Sequence, residues 1–314
     1  MKWGAIALLV AVSLLTLFYG SNPFEVSSIL NYRLPRLIVL LATGASLAVS
    51  GAIMQALFQN PLASPSVLGI SFGGSLLVVI ASIFDLPLHF PYALSIAAFS
   101  GCLLTLLLVY GLSRSPEGVF PHMLILTGIA VSTVFLALQG ALLYALKDRW
   151  QLILTLTEWE AGSTYHLTWK QVHIQLPLTF VGLFGAFYYR RTLNLLALGD
   201  EEALALGVNV KTVRFRLFLA VSLLTGGALA AVGIIAFFGL ILPHVIRTLT
   251  GSDNERLIPY AIVGGAIILS LLDISLRVLD IHNFTIGNIS AILGGAFFLL
   301  LLYQNKRRSF YAYT

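Results

Sequence analysis

At 314 residues, with 58% hydrophobic and only 10% charged side chains, the chain lacks the polar surface that a soluble protein of this size needs. Its 18 Lys and Arg against 13 Asp and Glu leave a net charge of +5. The cations are scattered between apolar segments with no basic stripe, which argues against nucleic acid and for a polytopic membrane protein in a lipid bilayer.

A spanning helix takes about 20 apolar residues. Apolar runs and their polar breaks predict ten transmembrane helices, near residues 3–20, 36–58, 71–86, 92–113, 121–146, 170–190, 213–235, 238–250, 257–275 and 286–304. The first follows Lys2 like a signal peptide, but Tyr19-Gly-Ser-Asn-Pro23 lacks a small-x-small cleavage pattern and the segment reads as a retained span. Cys102 is alone in an apolar run, which excludes a disulfide framework and a thiol metal site. With the N-terminus in the cytoplasm, twelve of the 18 Lys and Arg fall inside and six outside, the outer six being Arg33, Arg36, Lys147, Arg149, Lys170 and Arg277. That bias sets both termini in the cytoplasm.

The chain repeats itself weakly, either as an internal repeat or by coincidence among small and apolar residues. Thr43-Gly-Ala-Ser-Leu-Ala-Val-Ser-Gly-Ala-Ile through Pro61 aligns without gaps to Thr225-Gly-Gly-Ala-Leu-Ala-Ala-Val-Gly-Ile-Ile through Pro243. The two copies run in opposite directions, so one all-α domain over 1–314 divides into inverted-topology halves, about 1–146 and 170–304. Pro and Gly break the spans at Asn60-Pro61-Leu-Ala-Ser-Pro65, at Gly239 to Pro243-His244, and around Gly287 and Gly294-Gly295. These breaks read either as a pathway wall or as packed kinks.

Between spans six and seven, Asp200, Glu201 and Glu202 sit side by side. At roughly 2.5–3.5 kcal/mol for an Asp at the bilayer centre, the triplet lies outside the hydrocarbon. Gly199 is expected to end a turn in the left-handed conformation and Asp200 to cap a short helix. Gly207 stops it, and short cytoplasmic helices form within 191–212. The segment reads equally as a loop or as a grip for a soluble partner. Arg33-Leu-Pro-Arg36 and Arg277 form a cationic outer group, by interfacial snorkelling or to receive an acidic partner. Asp273, four residues before Arg277, is placed to meet it on one helix face.

No catalytic or metal-binding set emerges. The six histidines (His89, His122, His166, His173, His244, His282) are scattered, and none of the five lysines follows a glycine as a phosphate-binding loop requires. The chain is read as a non-enzyme whose energy source would be another polypeptide.

Arg33-Leu-Pro-Arg36, Val49-Ser-Gly-Ala-Ile-Met-Gln55, Asn60-Pro-Leu-Ala-Ser-Pro65, Leu196-Ala-Leu-Gly199, Gly239-Leu-Ile-Leu-Pro-His244 and Asp273-Ile-Ser-Leu-Arg277, in that order, resemble the FecCD/BtuC-like permeases of type II ABC importers for iron–siderophores, haem and cobalamin. The resemblance implies a ten-helix bacterial inner-membrane subunit paired with a second permease. It further implies two ATPase subunits that use ATP and Mg, a periplasmic or lipid-anchored solute-binding protein, and an iron chelate as cargo, with no cofactor on this chain. On that pattern Leu196, Leu198, Gly199, Asp200, Glu201, Ala203, Leu204 and Gly207 couple to the ATPase, and Arg33, Arg36 and Arg277 receive the binding protein. Gln55, Asn60, Pro61, Ser132, Gln139 and Pro243 are the candidate pathway and gate residues. Ala236 departs from a usual glycine, and Thr285 and Ala296 from prolines, so the last spans and the substrate pocket are expected to depart locally from the family's geometry. The rival reading is an ion-coupled secondary transporter. It would need an ionisable group at mid-membrane, and Asp273 is the deepest acid.

Overall fold

A computed structural model describes residues 2–19, 25–115, 118–119, 121–165, 167–281 and 284–312. His166 and His282 lie outside them. The chain opens with α1 (Lys2–Phe18), and α2 (Val26–Ser28) then runs through a π turn, Ile29–Arg33, into α3 (Leu34–Leu57). A 3-10 turn, Pro65–Leu68, precedes α4 (Ile70–Ile83), which is followed by α5 (Leu86–His89) and α6 (Ala93–Leu112). Two-residue strands β1 (Arg114–Ser115) and β2 (Gly118–Val119) pair antiparallel ahead of α7 (Pro121–Ala145). Next come α8 (Trp150–Glu160), α9 (Trp169–Tyr188), α10 (Arg190–Leu196) and α11 (Asp200–Ala205). The chain closes with α12 (Val210–Val232), α13 (Phe238–Thr250), α14 (Asn254–Val278) and α15 (Ile286–Ala312).

Among the described residues, five helical stretches are long and apolar enough to cross a bilayer, and α9 with α10, bent by 58°, makes a sixth. Shorter apolar helices in α1, α4, α13 and α15 supply the remaining four of the ten expected segments. The fold is an all-α polytopic bundle.

α3 is its axis: 89% of its apolar window is buried, against 17% for α7. Small residues set the spacing. Gly44 of α3 lies against the Gly265 carbonyl of α14, and the Gly265 side is closed in turn by the Gly44 carbonyl. Two turns further on, a Cβ at Gly51 would overlap the Gly239 backbone of α13. Backbones that approach this closely gain their stability from packing. Gly51→Ala should therefore destabilise the protein, since overpacking costs about 1–3 kcal/mol or more while helix propensity returns only about 1. A lowered unfolding midpoint in detergent checks this, and an unchanged one refutes it.

α3 and α12, which carry the two aligned segments, run in opposite directions. Arg36, at the start of α3, bonds Thr164, and Gly233, at the end of α12, packs on Trp159 and Gly162 of the same connection. The equivalence ends at the aligned glycines. Gly51 lies inside α3, whereas Gly233 adopts φ +85° and terminates α12.

Two expected breaks are corrected. α13 runs unbroken through Gly239, Pro243 and His244, and the interruption lies upstream at Gly233–Phe237, with Phe237 at φ +59°. Pro243 lacks the N–H that would bond the Gly239 carbonyl, and that carbonyl is instead covered by Gly51. The next carbonyl, Leu240, accepts Gln55 Nε2 at 3.1 Å. α3 thus splints the helix across its proline. Gly294 and Gly295 likewise lie inside a continuous α15, where Gly294 makes room for the Phe237 side chain.

Candidate functional site

Two polar clusters stand at opposite ends of the bundle. At one end Arg36 forks onto Asp273 of α14, Nε to Oδ2 at 3.0 Å and Nη2 to Oδ1 at 2.7 Å. Thr164 completes the knot: its hydroxyl donates to Asp273 Oδ1 at 2.8 Å and accepts from Arg36 Nη2 at 3.0 Å. Asp273 is 1% exposed and Arg36 16%. The fork-to-carboxylate geometry joins α3, α14 and the connection before α9 at one point.

Arg33 and Arg277 stand beside this knot, close enough for their charges to act on one another. Arg33 Nη1 donates to the Leu17 carbonyl at 3.1 Å, and Arg277 donates to the Thr16 and Tyr19 carbonyls at 3.3 and 2.6 Å. These carbonyls end α1, so the cations stabilise its negative pole. Asp273 was expected to pair with Arg277 on its own helix, and its bonded partners are instead Arg36 and Thr164. The π turn ahead of Arg33 leaves the Leu30 carbonyl free to accept Trp169 Nε1 at 3.0 Å, which fastens the start of α9 to the same end.

The opposite end carries the acidic segment. Gly199, at φ +137°, is the residue before α11, and Asp200 opens the helix. Asp200 does not cap it as expected, because its carboxylate is committed to Arg214 of α12, Oδ2 at 2.9 Å from Nη1 and Oδ1 at 2.5 Å from Nη2. Arg214 is buried and Asp200 half-exposed. Gly207, at φ +83°, ends α11 as expected, its N–H donating to the Leu204 carbonyl. Leu196 and Ala203 are buried and root the segment in the core, while Leu198, Leu204 and Leu206 project as exposed apolar side chains next to exposed Glu201 and Glu202.

Further bonds tie this platform to the bundle. Gln59 Nε2 donates to the Leu196 carbonyl, and Asn194 both donates to Asp253 Oδ1 and accepts the Asn254 N–H. The Asn194 amide and the Glu255 N–H hold the Asp253 carboxyl below the usual carboxylate range. A depressed folded-state value stabilises the junction at neutral pH, and the contribution fades as pH falls through that value.

A third cluster joins α4, α7 and α8. Ser75 and Gln139 both donate to the Glu160 carboxylate, and burial pushes the Glu160 carboxyl above its ordinary range while the Gln139 bond pulls it back.

The candidate pathway residues are scattered. Gln139 serves Glu160. Ser132 bonds the Gly128 carbonyl of its own helix and fills the space beside Gly69. Gln55 and Pro243 are buried in the α3–α13 contact. Asn60 and Pro61 are exposed on the turn after α3, with Asn60 Oδ1 accepting the Leu62 N–H. The departures at Ala236 and Thr285 are accommodated. The left-handed residue is Phe237, so Ala236 needs no glycine freedom. Thr285 caps α15, accepting the Asn288 N–H at 3.2 Å and donating to the Ala161 carbonyl. Ala296 lies exposed on α15.

Sequence reasoning missed Arg214, Thr164, Glu160 and Leu206. Arg214 and Thr164 find partners 14 and 109 positions away, beyond any helical repeat. Leu206 was legible, as an apolar residue beside the stop glycine.

A bundle of apolar helices with a basic knot at one end and a clamped acidic platform at the other defines a polytopic membrane transport subunit. The FecCD transport family model matches residues 2–304, and the chain belongs to that family. It is a permease subunit of a type II ABC importer. It is 41% identical over 289 residues to the hemin transport system permease protein HmuU of Yersinia pestis, covering 89% of this chain and 84% of that one. To the iron(3+)-hydroxamate import system permease protein FhuG of Bacillus subtilis it is 37% identical over 296 residues, with 92% and 87% covered. Its fold superimposes, at a TM-score of 0.87 and 29% identity, on a transporter described as of the metal-chelate ABC type in an inward-facing conformation, with 96% and 97% covered.

Proposed function

We propose that this chain carries a ferric chelate across the bacterial inner membrane, using ATP hydrolysed by separate subunits seated on its Asp200 end. The observation that carries this reading is the platform itself. Exposed Leu204 stands on a six-residue helix clamped to α12, with exposed Leu198 and Leu206 flanking it, a shape suited to insertion into a partner's cleft. The scattered lysines support an external ATPase, because none follows a glycine. The haem and hydroxamate relatives support an iron chelate as cargo. A second permease would cover α7, which exposes Leu126, Ile129, Val134, Leu136 and Leu138. The Asp200 end and both termini are then cytoplasmic, in agreement with the positive-inside count.

Reconstitution into liposomes tests the whole. Uptake is expected only with ATP inside, the ATPase subunits and a loaded binding protein. Uptake driven by an ion gradient alone would instead establish the secondary transporter. The burial of Asp273 against Arg36 speaks against it as a proton- or ion-coupling group.

The outer arginines would receive acidic residues of the binding protein. Because Arg36 already faces Asp273, the informative variant reverses Arg33 and Arg277 to glutamate. We expect its association rate with the binding protein to fall roughly tenfold at low salt, with the deficit shrinking as salt rises. An unchanged rate would remove these two residues from the docking surface.

A further inference from the structure

We infer that the bend between α9 and α10 is a binding site for an anionic phospholipid. Phe180, Val181, Phe184, Phe187 and Tyr188 are all exposed on α9, whereas Gln175, Thr179, Gly182 and Ala186 on its other side are buried. The exposed residues recur at helical spacing and form one aromatic stripe that faces the hydrocarbon.

Where the stripe ends, the chain turns by 58°, and a shallow groove of about 330 Å³ opens between Phe184, Phe187, Tyr188, Arg190 and Arg191. Its cations are pre-positioned. Arg190 Nη1 donates to the Phe187 carbonyl at 2.8 Å, and its guanidinium lies 3.7 Å over the Phe187 ring. Arg216, on α12, donates to the Tyr189 hydroxyl at 2.7 Å, and the Tyr189 ring meets Tyr188 edge-on at 4.8 Å. The acid facing Arg190 and Arg191 is Glu255 of α14, 4.0 Å from the first and 3.0 Å from the second. One carboxylate against two guanidiniums, with Arg216 nearby, leaves the groove positive.

The arrangement matches the two halves of a lipid. A phosphodiester accepts from the arginines, and its acyl chains lie along Phe184, Phe180 and Val181. A headgroup without an amine is preferred, because the ammonium of a zwitterionic lipid would meet the same guanidiniums. Free phosphate gains nothing from the aromatic stripe. The ligand would brace the bend that carries α11. The site itself stands on charge and exposure, independently of what α11 couples to.

The test titrates the purified full-length chain in detergent with phosphatidylglycerol, with phosphatidylcholine of the same acyl chains, and with inorganic phosphate, read by native mass spectrometry. Phosphatidylglycerol is expected to bind about tenfold tighter than phosphatidylcholine. The double variant Arg190→Gln/Arg191→Gln should abolish that preference, and Lys170→Gln at the other end should preserve it. A second measurement keeps every arginine: in Phe184→Trp, brominated phosphatidylglycerol should quench the added fluorescence and brominated phosphatidylcholine should quench it weakly. Equal quenching by the two lipids, displacement of lipid by phosphate, or an equal loss in Lys170→Gln would overturn the site. So would loss of the lipid once the ATPase subunits are assembled, which would assign this face to them.

Discussion

Asp273→Ala should be among the most destabilising single substitutions in this protein, lowering the unfolding midpoint in detergent while Arg36→Met/Asp273→Leu recovers most of the loss. The carboxylate is almost fully buried and accepts three charge-assisted or hydroxyl bonds. Its removal strands the Arg36 guanidinium beside Arg33 and Arg277, whose like charges act on one another across the gap. Breaking a buried pair from one side costs about 3–5 kcal/mol, whereas replacing both partners with apolar side chains of similar volume is often neutral. The knot also joins three segments far apart in sequence, so its loss loosens α3, α14 and the connection before α9 together. A thermal-unfolding cycle of the two singles and the double measures the coupling. An alanine variant as stable as the parent, or a double variant worse than both singles, would show that the pair contributes little.

That knot also marks the limit of what the sequence exposes. Hydropathy locates the ten apolar segments because every backbone group in a bilayer must be satisfied within a helix, which makes long apolar runs obligatory. The acidic triplet and its glycines are equally legible, since three adjacent acids cannot enter hydrocarbon. The partner of Asp273 is not. The i,i+4 rule points to Arg277, but Arg36 approaches from the neighbouring helix with a two-pronged donor, and Arg277 is drawn to the carbonyls that end α1. Local spacing lost to tertiary geometry. Pro243 misled for a related reason. A proline removes one bond from its own helix, and Gln55 and Gly51, about 190 positions away along the chain, make good the damage. The actual break needs a left-handed Phe237, a residue with no turn propensity to advertise it.

The clamp beneath the acidic platform gives the second large effect. On the coupling reading, Asp200→Ala should cut ATP-driven uptake by about tenfold or more, beyond what the lowered unfolding midpoint from stranding the buried Arg214 accounts for. α11 has only six residues, too few to persist as an isolated helix, so its orientation depends on what holds it. The bidentate Arg214–Asp200 pair holds its first turn, and buried Ala203 and Leu196 hold the rest. Hydrogen bonds to charged groups contribute about 1.5–3 kcal/mol. Losing that much locally lets α11 swing while the bundle stays folded, and it converts to roughly a 10- to 150-fold fall in the equilibrium constant between set and displaced platforms. The expected signature is a split. Co-purification with the ATPase should weaken and uptake should fall, both by more than the shift in the unfolding midpoint accounts for. Leu204→Glu, which alters the exposed knob and leaves the clamp intact, should give the same split by a different route. If Asp200→Ala and Leu204→Glu both transport and co-purify normally, the platform is a connecting loop. If uptake falls only in proportion to a lowered midpoint, the clamp serves the bundle's stability rather than the transmission of force from ATP hydrolysis.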